Sequence, residues 1–228
     1  MIVRPDVLRI WHRRGAFKFG KFRYKYHENN PDLPPEPTYL NLRLSPKGPL
    51  TPEDVEVMGG QVLYRFARHN GVLYKAVVGV PEAGDSFAMT FARAAGVPQL
   101  YLRKEETAEG RRIIPGNLEE QVEAAGLESG DPVVVVDDLV TRADSKFEAI
   151  APLKSLGLRV QSVLVFVDRE QGGVQVLKRE GVRVFAVWTF SQILAFYRSE
   201  ELATEEDYQR AMRHLETQQE ALRRKEAL

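Results

Sequence analysis

Four consecutive valines, Val133 to Val136, run directly into Asp137 and Asp138, then Leu139-Val140-Thr141 and a helix start at Ser145-Lys146. An unbroken β-branched run suits a strand buried on both faces, since a strand with one wet face would alternate. Such a strand needs cover on both sides, and the chain supplies it. From Lys75 the pattern repeats as strand, loop, helix. It predicts strands over Ala76 to Val80, Gln99 to Arg103, Val133 to Val136, Val160 to Val167 and Val182 to Trp188. Helices fall over Asp85 to Ala95, closed by Gly96, over Ser145 to Leu156, closed by Gly157, and over Val174 to Glu180, closed by Gly181. This order predicts an α/β chain with a central, mostly parallel sheet flanked by helices.

Ahead of this core, Phe17 to Lys25 alternates aromatic and basic residues and predicts a short half-buried strand pair. Asn29 to Pro37 carries four prolines and reads as an irregular loop, followed by a strand over Tyr39 to Leu44. Thr51-Pro52-Glu53-Asp54 is a helix start, with the helix running to Asn70-Gly71 and weakened by Gly59-Gly60. Leu118, Val122 and Leu127 space out a small amphipathic helix. The tail from Thr204 is one charged helix with a thin stripe of Tyr208, Met212, Leu215 and Leu222, read as a solvated terminal helix or an assembly surface. The expected organisation is one domain over 1–228: an N-terminal hood at 1–48, a core at 51–200 and a C-terminal helix at 203–228.

Lys plus Arg equals Asp plus Glu at 32 each, so there is no bulk attraction to nucleic acid or an anionic membrane. No run approaches the roughly 20 apolar residues a membrane helix needs. The absence of cysteine removes disulfides and thiolate metal sites and fits a reducing cytoplasm. The four histidines are scattered with no metal-site spacing.

The chemistry concentrates after the valines. In open parallel sheets, ligands sit beyond the carboxyl ends of the strands. Amides at the next helix start suit a phosphate, and the helix dipole favours an anion there. Adjacent carboxylates at that edge suit sugar hydroxyls, because an ionised carboxylate only accepts hydrogen bonds. The plain alternative is that Asp137 and Asp138 merely end a strand and solvate it.

The segment from Val133 to Lys146 resembles the phosphoribosyl-pyrophosphate motif of type I phosphoribosyltransferases. Other pieces are similar, in order, to the orotate phosphoribosyltransferase family: Phe19-Gly20-Lys21-Phe22-Arg23-Tyr24-Lys25, Tyr39-Leu40-Asn41-Leu42-Arg43, Gly79-Val80-Pro81 followed by Ala88, Leu102-Arg103-Lys104-Glu105 with Gly110, Asp168-Arg169-Glu170-Gln171-Gly172-Gly173, and Trp188 to Leu194. The resemblance spans Ala16 to Tyr197. It implies a type I phosphoribosyltransferase fold with an N-terminal hood. It also implies transfer of a ribosyl-5-phosphate from magnesium phosphoribosyl pyrophosphate to orotate, in a cytoplasmic homodimer.

Carried over, Asp137 and Asp138 would bind ribose hydroxyls. The backbone of Thr141, Arg142, Ala143, Asp144 and Ser145 would cradle the 5-phosphate. Pro81, Glu82 and Ala83 would face the pyrophosphate, which Arg103 and Lys104 would meet, the lysine across the dimer interface. Lys25 would face the active site, and Arg169 would hold the acceptor carboxylate. Magnesium would come with the phosphoribosyl pyrophosphate, held largely by ligand and water, so no protein metal ligands are assigned. The chain departs from the family pattern at Thr107 and Glu109, where cationic and aromatic residues are expected, and at Arg142, Ala143 and Asp144, where glycine and small hydroxyls are expected. Arg111 or Arg112 could restore the missing charge, Asp144 could cap the helix by turning away, and Arg142 could offset its charge. Two other readings stay open: the same chemistry on a different base, and a non-catalytic protein that binds a nucleotide or phosphoribosyl pyrophosphate as a signal.

Overall fold

The computed structural model describes residues 6–23, 25–28, 30–107 and 110–226. Its centre is a five-stranded sheet whose four pairings are all parallel. The described chain begins with helix α1 (Asp6–Arg14) and strand β1 (Phe17–Phe22). The short helix α2 (Lys25–Glu28) and strand β2 (Glu36–Leu40) complete the hood. Strands β1 and β2 pair antiparallel, with Phe17 opposite Leu40 and Phe22 opposite Glu36. The second hood strand therefore begins three residues before the expected start, and the 41–44 stretch lies outside it. Lys25 stands on α2 rather than on the aromatic strand, and its side chain lies outside the described residues.

Thr51 starts the next helical run as expected. Its side chain accepts from the Asp54 amide while the Asp54 carboxylate accepts from the Thr51 amide, a reciprocal cap. The run passes from α3 (Pro52–Val55) through a widened π-helical stretch (Glu56–Leu63) into α4 (Tyr64–His69). Gly59 lies in that stretch for a packing reason. A Cβ there would collide with the Thr90 hydroxyl and the Phe87 carbonyl of helix α5 (Ala83–Ala95).

The sheet contains β3 (Ala76–Gly79), β4 (Gln99–Leu100), β7 (Pro132–Val140), β8 (Arg159–Asp168) and β9 (Arg183–Thr189), in the order β4-β3-β7-β8-β9. Between β4 and β7 the chain leaves the sheet as an antiparallel hairpin, β5 (Arg103–Thr107) with β6 (Gly110–Ile114), and then forms α6 (Leu118–Ala124). The strand expected over Gln99 to Arg103 is thus divided: its end belongs to the hairpin.

Helices α7 (Asp144–Ser155), α8 (Gly173–Arg179), α9 (Phe190–Ser199) and α10 (Glu205–Glu226) complete the described chain. Val134 and Val136 face one apolar cluster, and Val133 and Val135 face the other. All four are at most 1% exposed, so each contributes on the order of 2 kcal/mol of burial free energy. The C-terminal helix is not a free solvated rod. Ala211 and Leu215 are buried in the same cluster as Val134, and Arg198 of α9 pairs with Glu205 at its start.

Candidate active site at the carboxyl edge of the sheet

Strand β7 does not end at Val136. It continues through both aspartates to Val140, with Asp137 in register with Val165, Leu139 with Val167 and Val140 with Asp168. Asp137 and Asp138 are therefore held by a sheet rather than by a loop. Being adjacent in a strand, they point to opposite faces. Asp137 is buried and meets the equally buried Lys146 ammonium at 2.6 Å. Lys146 also donates to the Leu139 carbonyl, so one side chain ties the first turn of α7 back to the strand. Asp138 keeps a half-buried carboxyl. Its pKa is pushed up to about 7, first by burial and then by the neighbouring Asp137 charge.

The five residues after β7, where the sequence places a phosphate cradle, form a tight loop into α7. Ala143 adopts the left-handed conformation at φ 77°, a geometry normally left to glycine, and begins α7 without a side-chain cap. Asp144 does not cap the helix. It is the first helical residue and is exposed, and no ion pair joins it to the exposed Arg142. Among the described residues none accepts a hydrogen bond from the amides of Arg142, Ala143, Asp144 or Ser145. A run of successive free amides with one left-handed residue makes an anion-binding concavity, strengthened by the α7 dipole. Gly173 supports this loop from below. Its amide donates to the Thr141 carbonyl at 2.8 Å, and a Cβ at Gly173 would press into that same carbonyl.

The turn after β3 packs against the other side of β7. A Cβ on Gly84 would strike the Val136 carbonyl, so the start of α5 sits directly on the strand. Pro81 and Ala83 are buried and Glu82 is exposed; the peptide joining Pro81 to Glu82 is cis. Asp85 belongs to this corner. Its Oδ1 is buried without a hydrogen-bond partner, and its pKa rises to about 7 through burial and the charges of Asp137 and Glu82. Glu82 pairs with Lys47 at 2.9 Å, which holds its carboxyl below the usual range. Lys104 and Arg43 act on Glu82 in the same direction.

The hairpin separates Arg103 from Lys104. As strand neighbours they point to opposite sides, Arg103 against Gly116 and Lys104 toward the Glu82 turn. Arg112 is exposed opposite Glu105 in the hairpin, while the side chains of Thr107 and Arg111, together with Glu109, lie outside the described residues. The cations acting on Glu82 are Lys47, Lys104 and Arg43, of which Lys47 was not singled out in the sequence.

Arg169 follows β8, and its amide donates to the Val140 carbonyl at 2.9 Å, so it stands at the same sheet edge as the phosphate loop. Its guanidinium is 9% exposed and stacks over the Phe190 ring at 4.3 Å. It is thus no part of a surface charge cluster. The loop that carries it is fixed by Asp168, which accepts from the Glu170 amide, and by Glu170, which accepts from the Ser191 amide. Among the described residues no group of three or more His, Cys, Asp or Glu side chains could hold a metal ion, and no helix is long and apolar enough to cross a membrane.

No protein-family model matches the chain. It is 30% identical to an orotate phosphoribosyltransferase of Pyrobaculum islandicum over 208 residues, covering 88% of this chain and 93% of that protein. It is 28% identical to the uridine 5'-monophosphate synthase of Bos taurus over 202 residues, covering 88% of this chain. The chain spans only 38% of the length of that bovine relative. The crystal structure of orotate phosphoribosyltransferase from Aeropyrum pernix matches with a TM-score of 0.60 and 25% identity, over 83% of this chain and 97% of that one. With a parallel sheet, a loop of free amides after an Asp-Asp strand and these relatives, the chain belongs to the orotate phosphoribosyltransferase family.

Proposed function

We propose that the chain transfers the phosphoribosyl group of phosphoribosyl pyrophosphate to orotate, giving orotidine 5'-monophosphate and pyrophosphate. The observation that carries this reading is the set of free amides from Arg142 to Ser145, flanked on one sheet edge by Asp138 and the buried Arg169. The 5-phosphate rests on those amides. Asp138 accepts from a ribose hydroxyl, and Asp137, clamped by Lys146, holds the strand in place. As the bond from C1 to the pyrophosphate oxygen breaks, positive charge grows on the sugar and negative charge on the leaving group. Lys104, Lys47 and Arg43 gather at the turn of Pro81, Glu82 and Ala83 and stabilise the leaving pyrophosphate. A ring nitrogen of the acceptor forms the new bond to C1 while losing its proton, and Arg169 orients the acceptor by its carboxylate.

Magnesium arriving with the phosphoribosyl pyrophosphate would supply positive charge to the pyrophosphate oxygens. Asp138 and the partnerless Oδ1 of Asp85 are oxygen donors of the kind this ion takes, directly or through water. The reading includes a homodimer. The multiply charged sugar phosphate does not cross membranes unaided, which supports work in the cytoplasm. The zero net charge supports a small-molecule site rather than a nucleic-acid partner.

The test is pyrophosphate release from magnesium phosphoribosyl pyrophosphate with orotate, uracil, adenine and hypoxanthine offered separately. Turnover with orotate at least tenfold above the others is expected. Turnover only with another base, or binding without turnover, contradicts the reading.

A further inference from the structure

The guanidinium of Arg169 already faces a carboxylate. Glu36, the first residue of β2, brings its Oε2 to 3.9 Å from Arg169 Nη2, with both side chains at most 10% exposed. That oxygen is held from its other side by the C-terminal helix. His214 Nε2 lies 3.1 Å from Glu36 Oε2, and Gln218 Nε2 donates to Glu36 Oε1 at 3.3 Å. Gln218 in turn accepts from Gln171 Nε2 at 2.6 Å, two residues after Arg169. Leu222 lies within van der Waals reach of Gly172 in the same loop. Helix α10 is therefore a wall of the Arg169 corner.

A guanidinium and a carboxylate this buried attract strongly because little water screens them. A second carboxylate arriving at Arg169 must share the cation with Glu36 or push it away. At 3.9 Å the contact is an ion pair rather than a hydrogen bond, so Glu36 acts on Arg169 through its charge and offsets much of the cation. His214 and Gln218 keep Glu36 from leaving.

We propose that Glu36, clamped by His214 and Gln218 of the C-terminal helix beside Arg169, limits the preference for a carboxylated over an uncharged acceptor by competing for the same guanidinium. This rests on the proposed function, in which Arg169 meets the acceptor's carboxylate. Glu36 lowers affinity for the anionic acceptor and its nucleotide, and leaves the binding of an otherwise identical nucleotide without that carboxylate unaffected.

The test is the Kd of orotidine 5'-monophosphate and of uridine 5'-monophosphate, by calorimetry, for the natural protein and for Glu36→Gln. Glutamine keeps the shape and a hydrogen-bonding end, so folding is preserved; a thermal melt of both proteins checks this. The ratio of the two constants isolates the carboxylate. In Glu36→Gln, orotidine 5'-monophosphate should bind at least tenfold tighter while uridine 5'-monophosphate moves less than twofold. A ratio that stays within twofold, or a weakening of orotidine 5'-monophosphate, overturns the proposal. Parallel pyrophosphate-release assays keep the two ideas apart. Orotate turnover with an unmoved ratio sinks the role of Glu36 alone, and a shifted ratio without turnover sinks the catalytic reading alone. No binding of either nucleotide to either protein overturns both.

Discussion

Removing the Lys146 ammonium leaves Asp137 as a buried carboxylate with its nearest cation gone. Breaking a buried pair from one side costs about 3–5 kcal/mol, because the surviving charge cannot reach water. Lys146→Met should therefore lose about that much stability by urea denaturation. Under the proposed function it should also weaken phosphoribosyl pyrophosphate binding, since the loop between the two partners carries the free amides. The aspartate pair itself was legible in the sequence, because two acids after four valines are unusual for a buried strand. The role of Lys146 was not. It depends on the turn that brings a side chain nine positions later back beneath the strand. Ala143 was legible only as a departure from glycine. The left-handed backbone survives because the surrounding loop fixes it, with the Ala143 carbonyl accepting from both Lys146 and Phe147 amides. Glu36 and His214 gave no signal at all, since their meeting joins a strand and a helix about 180 positions apart in the chain.

At the scale of elements, the most exacting contact is between the start of α5 and β7. Gly84→Ala would drive a methyl into the Val136 carbonyl, and a packed sheet gives little room for retreat. A loss of about 2–3 kcal/mol is expected by urea denaturation. The Pro81–Ala83 turn would also move away from Asp138, so the KM for phosphoribosyl pyrophosphate should rise more than that for orotate. The core strands and helices were readable because continuous apolar runs and closing glycines mark them locally. Boundaries set by pairing partners were not. Strand β7 extends through two charged residues because β8 supplies the register, and the chain leaves the sheet after Leu100 because Arg103 to Ile114 pairs with itself. The π-helical stretch at Glu56–Leu63 likewise follows from the fit of Gly59 against α5, which no local pattern announces.

Across the whole molecule, one sheet edge gathers three kinds of group: free amides, carboxylates and a buried guanidinium, which under the proposed function meet phosphate, sugar and acceptor. Parallel strands deliver all three to the same side because every strand in the sheet ends there. Strand β2 and the C-terminal helix meet beside Arg169, where Glu36 faces His214 and Gln218. The central claim is that the 5-phosphate sits on the main chain from Thr141 to Ser145. The most direct measurement is amide hydrogen exchange across the chain with and without magnesium phosphoribosyl pyrophosphate. The amides from Arg142 to Ser145 should slow at least tenfold on adding the ligand. Protection confined to other segments, or none at saturating ligand, would contradict the account.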